Sequence, residues 1–261
     1  VAVLLAGGTG TRVGHETPKQ LLMVAGKTLL EHSIAPLQAS DLIDEIIIVM
    51  TPGYTDQLQG LLGDTYPKVS KIVDGGQTRN ESTRLALAAL GDGEANVLVH
   101  DANRPLLDQR IVTECVEALA RYDAVDVGIP CADTIIEVQD DRVVSIPDRS
   151  RLRRGQTPQA FRLSTLRQAY RLAAGDPGFT ATDDCGVVLR FLPETPIYVV
   201  DGTQHNVKVT HPIDLFLIEQ LLELAASAQP APGGGDAAGV VTDAERVARA
   251  LAADNPEFPD V

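Results

Sequence analysis

Short, almost unbroken runs of aliphatic and β-branched residues recur along the chain, and the segments between them place apolar side chains three or four positions apart. The runs at 2–6, 45–50, 71–74, 96–101, 123–130 and 196–201 are too short to be helices. They have the continuous apolar character of strands covered on both faces. The amphipathic stretches near 28–39, 54–63, 78–90, 108–121, 163–173 and 183–191 read as helices. This alternation predicts an α/β fold: a mostly parallel, Rossmann-like sheet with helices on both faces. Such a sheet binds ligands beyond the carboxyl ends of its strands. The Gly-rich loop after the first run and the loop after Asp101 both fall at that edge.

Two stretches depart from the rhythm. Residues 134–138 and 142–146 alternate apolar and polar side chains around Gln139-Asp-Asp141, the pattern of a β-hairpin. A hairpin projecting from an α/β core needs a surface to cover it, and a second copy of the chain is the expected one. The arm is placed at about 132–155 and the protein is expected to be a homodimer. From residue 225 the composition turns to Ala, Pro and Gly, a linker pattern. Thr242-Asp-Ala-Glu245 then forms a capping box that opens a short helix over 246–253. The division is therefore a catalytic domain at 1–224 and a linker with a helical tail at 225–261, to which no chemistry is assigned.

Composition narrows the function. The net charge of −14 makes a nucleic-acid backbone an unsuitable partner. No apolar run approaches the roughly 18 residues of a membrane span. Cys115, Cys131 and Cys185 lack metal or CxxC spacing and read as unlinked thiols of a cytoplasmic protein. An acidic protein that handles phosphates must concentrate its cations locally, and this chain does so.

The first concentration follows strand one, in Leu5-Ala-Gly-Gly-Thr-Gly-Thr-Arg12 and Pro18-Lys-Gln20. Glycines let backbone N–H groups close around phosphate oxygens, and Arg12 and Lys19 add two positive charges. A dinucleotide fingerprint would need Gly at position 13, where Val13 stands. A Walker loop ending in Gly26-Lys27 would need Gly at position 21, which is Leu21. Both rivals fail.

Together with Asp74-Gly-Gly-Gln-Thr-Arg-Asn-Glu-Ser82, His100-Asp-Ala-Asn-Arg-Pro105, Ala132-Asp-Thr-Ile135, Gly155-Gln-Thr-Pro-Gln159, Thr182-Asp183 and Asn206-Val-Lys-Val-Thr210, this start resembles one group of nucleotidyltransferases. They are the cytidylyltransferases of 2-C-methyl-D-erythritol 4-phosphate or D-ribitol 5-phosphate. The motifs occur in family order over residues 1 to about 222. The resemblance implies CTP contacts at Ala6, Gly7, Gly8, Gly10, Gly76, Arg79, Ser82, Asp101 and Ala102. It implies Mg²⁺ on Asp101, for which the alternative is an ion pair with Arg104. It also implies charge stabilisation by Arg12, Lys19 and Lys208, and acceptor contacts by Asp133, Thr134, Arg149, Thr157, Thr182 and Thr210. Arg149 would come from the neighbouring subunit.

Three further points are readings of the residues. Asp183 is a weaker acceptor candidate. His100 is expected to pack or hydrogen-bond rather than act as a base. Alternation over 206–210 predicts a short strand carrying Asn206, Lys208 and Thr210 on one face.

The implied reaction is attack by a polyol phosphate on the α-phosphorus of CTP, with pyrophosphate leaving. Positioning and charge stabilisation would supply most of the rate. The Gly-Gly-Thr-Gly-Thr-Arg form of the first loop, Tyr122-Asp-Ala-Val-Asp126 and Ile146-Pro-Asp-Arg149 with Gly155-Gln-Thr-Pro158 look closer to the ribitol-phosphate branch of that family, which implies ribitol 5-phosphate as acceptor, with methylerythritol phosphate the alternative. A non-catalytic nucleotide-binding protein would have no need of Arg12, Lys19, Asp101 and Lys208 together.

Overall fold

The first strand, β1 (Ala2–Ala6), divides the core by its own alternation: Ala2, Leu4 and Ala6 face one apolar layer and Val3 and Leu5 the other. The computed structural model of the chain describes residues 1–8, 17–176 and 178–227. Gly10, Arg12, the capping box and the short tail helix lie outside the described residues.

The remaining sheet strands are β4 (Ile46–Met50), β5 (Val69–Asp74), β6 (Asn96–Asp101), β7 (Ala124–Pro130), β10 (Arg153–Arg162) and β11 (Ile197–Asp201). Two short strands, β2 (Met23–Val24) and β3 (Lys27–Thr28), form a separate ribbon. The order across the main sheet is β11-β7-β10-β6-β1-β4-β5. β1 pairs parallel with β4 and β6, β4 with β5, and β7 with β11; β10 alone runs antiparallel.

One face is covered by α1 (Leu29–Ala39), α2 (Thr55–Leu62) and α4 (Gln109–Ala118), the other by α3 (Arg79–Ala89), α5 (Leu163–Ala173) and α6 (Asp184–Phe191). Local chemistry starts these helices. Thr28 and Glu31 form a reciprocal capping box on α1. Thr78, Asp108 and Asp183 each accept a backbone N–H at the starts of α3, α4 and α6. The six expected strands and six expected helices all occur, with no end displaced by more than three residues.

Three features depart from expectation. β10 is a ten-residue strand whose sequence, with Gly155, Pro158 and only Thr157 β-branched, carries no strand pattern. Pairing on both edges overrides propensity. Its register against β7 shifts between Gln156 and Ala160, around the proline that cannot donate to a ladder. Residues 206–210 form no strand; Val209 is held instead by its N–H to the Asn103 carbonyl. Finally, α7 (Pro212–Ser227) carries helix three residues into the stretch expected to be linker. It packs Ile218 and Leu222 on Val24, Leu29 and Val209.

The hairpin is present as β8 (Glu137–Gln139) and β9 (Arg142–Ser145), a separate two-stranded sheet. Asp140 and Asp141 take positive φ values of 48° and 60°, the double left-handed turn that suits the twist of two strands.

Candidate active site

The carboxyl ends of β1, β5 and β6 and the start of α3 surround a cleft of about 390 Å³. Absence of side chains lets the loops close. A Cβ on Gly7 would lie 3.2 Å from Ser82 Oγ, and one on Gly75 3.1 Å from both that atom and the Met50 carbonyl. Ser82 Oγ accepts the Gly76 N–H at 3.1 Å, tying the Gly75-Gly76 turn to the first turn of α3.

Asp101 ends β6 at the cleft wall. Lys208 Nζ donates to its Oδ2 at 2.7 Å, and Arg79 Nε faces its Oδ1 at 3.5 Å. Burial pushes the Asp101 pKa up, but Lys208 and then Arg79 outweigh it and hold the carboxyl well below the usual carboxylate range. Arg104 is not its close partner: that guanidinium donates to the carbonyls of Asn206 at 2.8 Å and Gly155 at 3.4 Å. Lys19 also lines the cleft, its stem buried and its Nζ donating to the Val209 carbonyl at 2.8 Å. Three cations, Lys19, Arg79 and Lys208, and one carboxylate therefore line the cleft among the described residues, a balance suited to a polyanion.

Asp101 is backed by a relay. Thr157 Oγ1 accepts the Asp101 N–H at 3.1 Å and lies 2.9 Å from His100 Nδ1; His100 Nε2 lies 3.1 Å from the Arg104 carbonyl. The arrangement assigns the Thr157 proton to Nδ1 and the ring proton to Nε2. Burial drives the His100 pKa down to about 4, so the ring is neutral and structural.

Several sequence-predicted contacts sit elsewhere. Thr157 lies beneath Asp101 with its hydroxyl already engaged on both sides. Ala102 is buried, donating its N–H to Leu5 and accepting the Ser33 hydroxyl, and the Ala6 carbonyl accepts the Thr51 hydroxyl. The backbone groups of these residues serve the fold. Asp133, Thr134 and Arg149 belong to the exposed arm and do not line the cleft; Arg149 donates to the Ala132 carbonyl. Thr182 is exposed ahead of α6, Asp183 caps that helix through Gly186, and Thr210 donates its hydroxyl to the Lys208 carbonyl. Gly7, Gly8, Gly76, Arg79, Ser82, Lys19, Asp101 and Lys208 are brought together.

Sequence reasoning missed Gln20 and Asn103. Both line the cleft, and Gln20 Oε1 and Asn103 Oδ1 are buried with no hydrogen-bond partner among the described residues. Their signal was adjacency to Lys19 and Asp101. It also missed Asp184, described below.

A glycine-walled cationic cleft at the carboxyl edge of this sheet defines the class, a nucleotidyltransferase. The sequence profile of IspD, 2-C-methyl-D-erythritol 4-phosphate cytidylyltransferase, matches residues 1–224. The chain belongs to that family of cytidylyltransferases.

The chain is 48% identical over 229 residues to the 2-C-methyl-D-erythritol 4-phosphate cytidylyltransferase of Thermobifida fusca, covering 85% of this chain and 92% of that protein. It is 42% identical over 228 residues to the bifunctional ribulose 5-phosphate reductase/CDP-ribitol pyrophosphorylase Bcs1 of Haemophilus influenzae, covering 85% of this chain but 48% of that protein. In structure it resembles 4-diphosphocytidyl-2C-methyl-D-erythritol synthase from Anaerococcus prevotii, with a TM-score of 0.76 and 28% identity over 85% of this chain and 97% of that one.

Proposed function

We propose that the protein transfers the cytidylyl group of CTP to 2-C-methyl-D-erythritol 4-phosphate and releases pyrophosphate, with residues 1–224 as the catalytic unit. The observation that supports the reaction type is one glycine-walled cleft lined by Lys19, Arg79 and Lys208, the last two paired with Asp101. The 48% relative, matched over 92% of its length, supports methylerythritol phosphate as the acceptor. It outweighs the ribitol 5-phosphate preference drawn from the first loop and the 146–149 segment. Those short segments weigh less than similarity along the whole domain. Ribitol 5-phosphate stays the second reading, favoured by the printed activity of the 42% relative.

An acceptor phosphate oxygen attacks the α-phosphorus, the bond to the oxygen bridging α- and β-phosphorus breaks, and pyrophosphate leaves with that electron pair. The phosphate monoester is itself the nucleophile, so no side-chain base is required, in keeping with a neutral, buried His100. Lys19, Lys208 and Arg12 offset the charge that accumulates on the phosphates. Gly76, Ser82 and Arg79 hold the nucleotide end of the cleft.

Mg²⁺ fits the donors present. Asp101 is the one carboxylate among the described lining residues, and it is ionised. Mg²⁺ takes most of its ligands from phosphate oxygens and water and needs one or two carboxylates. When bound, it would offset negative charge on the phosphates. The arm of a second copy would bring Arg149, Asp133 and Thr134 to the acceptor. The test is pyrophosphate release with CTP and each of the two polyol phosphates. Turnover with methylerythritol phosphate at least tenfold above ribitol phosphate is expected, and the reverse ratio would overturn the acceptor assignment.

A further inference from the structure

A buried anion outside the cleft determines how Arg79 stands in its wall. Arg79 is the first residue of α3, where a cation meets the positive end of the helix dipole and is disfavoured. It is nevertheless held there. Arg79 Nη1 lies 2.7 Å from Oδ2 of Asp184, a carboxylate with no solvent exposure, while Nε faces Asp101 at 3.5 Å. Burial opposes the Arg79 charge, but Asp184 and Asp101 together raise its pKa above the ordinary arginine value.

Asp184 is itself fixed from three elements. Tyr170 of α5 donates its hydroxyl to Oδ1 at 2.5 Å. The Asp184 N–H donates to Gln159 Oε1 of β10 at 2.9 Å, and Gln159 Nε2 donates to Asp126 of β7 at 2.9 Å. Asp184 opens α6, where the helix dipole favours a carboxylate. Both oxygens are spoken for, so the pair has one geometry. The remaining guanidinium nitrogen, Arg79 Nη2, is buried and has no hydrogen-bond partner among the described residues.

We infer that Asp184 is a positioning residue for the nucleotide: it clamps Arg79 through Nη1, so that Nε stays beside Asp101 and Nη2 is kept for an acceptor atom of the bound nucleoside triphosphate. Tyr170 and Gln159 hold the clamp. Without it, Arg79 would close fully on Asp101, spending the donor and neutralising the carboxylate. The inference rests on the cytidylyltransferase reading and names a residue that touches no substrate.

The experiment uses the full chain and measures CTP binding by calorimetry and steady-state kinetics for Asp184→Asn, Tyr170→Phe, Arg79→Ala and the Arg79→Ala/Asp184→Asn double variant. Asp184→Asn should weaken CTP about tenfold or more, the scale of a lost charge-assisted hydrogen bond, with the KM for the polyol phosphate unchanged. Tyr170→Phe should act in the same direction to a smaller extent. In the Arg79→Ala background, Asp184→Asn should add no further loss of CTP affinity. A purely structural role would lower the melting temperature while leaving CTP affinity within twofold of wild type, and that result overturns the inference. Should Asp184→Asn fail to fold, Tyr170→Phe decides by the same readout, since it removes only one hydroxyl. Wild-type protein that binds no CTP would sink the functional reading and this inference together. Normal wild-type binding with unaffected variants sinks the clamp alone.

Discussion

Lys208 and Asp101 are 107 positions apart in the chain, yet Nζ and Oδ2 lie 2.7 Å apart in the cleft. The pair keeps the carboxylate ionised and holds the Lys208 side chain, 43% exposed, in the cleft wall. Because Lys208 is partly solvated, it can exchange Asp101 for phosphate oxygens at small cost.

Lys208→Met should therefore leave the fold intact and reduce turnover about 10²–10³-fold, the usual effect of removing one preorganised positive group. Single-turnover pyrophosphate release measures this. Turnover within a factor of about three of wild type would remove Lys208 from the catalytic assignment.

His100 makes stability depend on pH. Its folded pKa of about 4 lies below the ordinary 6.5, so between those values the unfolded chain binds more protons. The contribution is whole above pH 6.5 and is lost as pH falls towards 4, by about 3 kcal/mol across the window. Asp101 acts in a lower window: its depressed pKa stabilises the fold above the ordinary carboxylate value of 3.8, and that support fades as pH drops further. Urea unfolding at pH 7 and 4.5 should show the first effect in wild type and a much shallower change in His100→Gln.

Ile136, Val138, Val143, Val144 and Ile146 are each more than half exposed on the arm, a density of apolar surface suited to a protein partner. The double change Val144→Asp/Ile146→Asp should yield a folded monomer by sedimentation, with CTP binding retained and turnover lost. A variant that stays dimeric, or a monomer with normal turnover, would refute the arm's proposed role.

The thiols should differ sharply in reactivity. Burial pushes Cys115 up to about 12 and raises Cys185 as well, while Cys131 is partly exposed on the way into the arm. A disulfide reagent at pH 8 should modify one thiol per chain quickly and all three only in denaturant. Fast modification of Cys115 in native protein would contradict the packing of α4.

Much of this architecture could be read from local pattern. The run at 2–6 announces a two-sided strand, the amphipathic stretch at 28–39 announces a helix, and Gly7-Gly8 and Gly75-Gly76 announce tight turns at strand ends. Lys19 was legible because a cation close behind a glycine turn suits phosphate, whereas the roles of Asp101 and Lys208 came from motifs shared with the family. β10 was not legible, since Gly155 and Pro158 argue against a strand until both neighbours are known. The 206–210 segment was read as a strand from its alternation, but side-chain period alone does not supply a ladder partner.

Sequence by itself determined the strand and helix rhythm, the glycine turns and the family, because each rests on residues within a few positions of one another or on matched motifs. Tertiary structure alone decided that Thr157 and Ala102 lie behind the site, that Arg104 bonds carbonyls rather than Asp101, and that Asp184 grips Arg79 from 105 positions away. Those outcomes depend on which buried polar group finds which partner. Burial makes an unpaired group costly wherever it lies in the chain, so such pairings are enforced through space and leave no mark in local pattern.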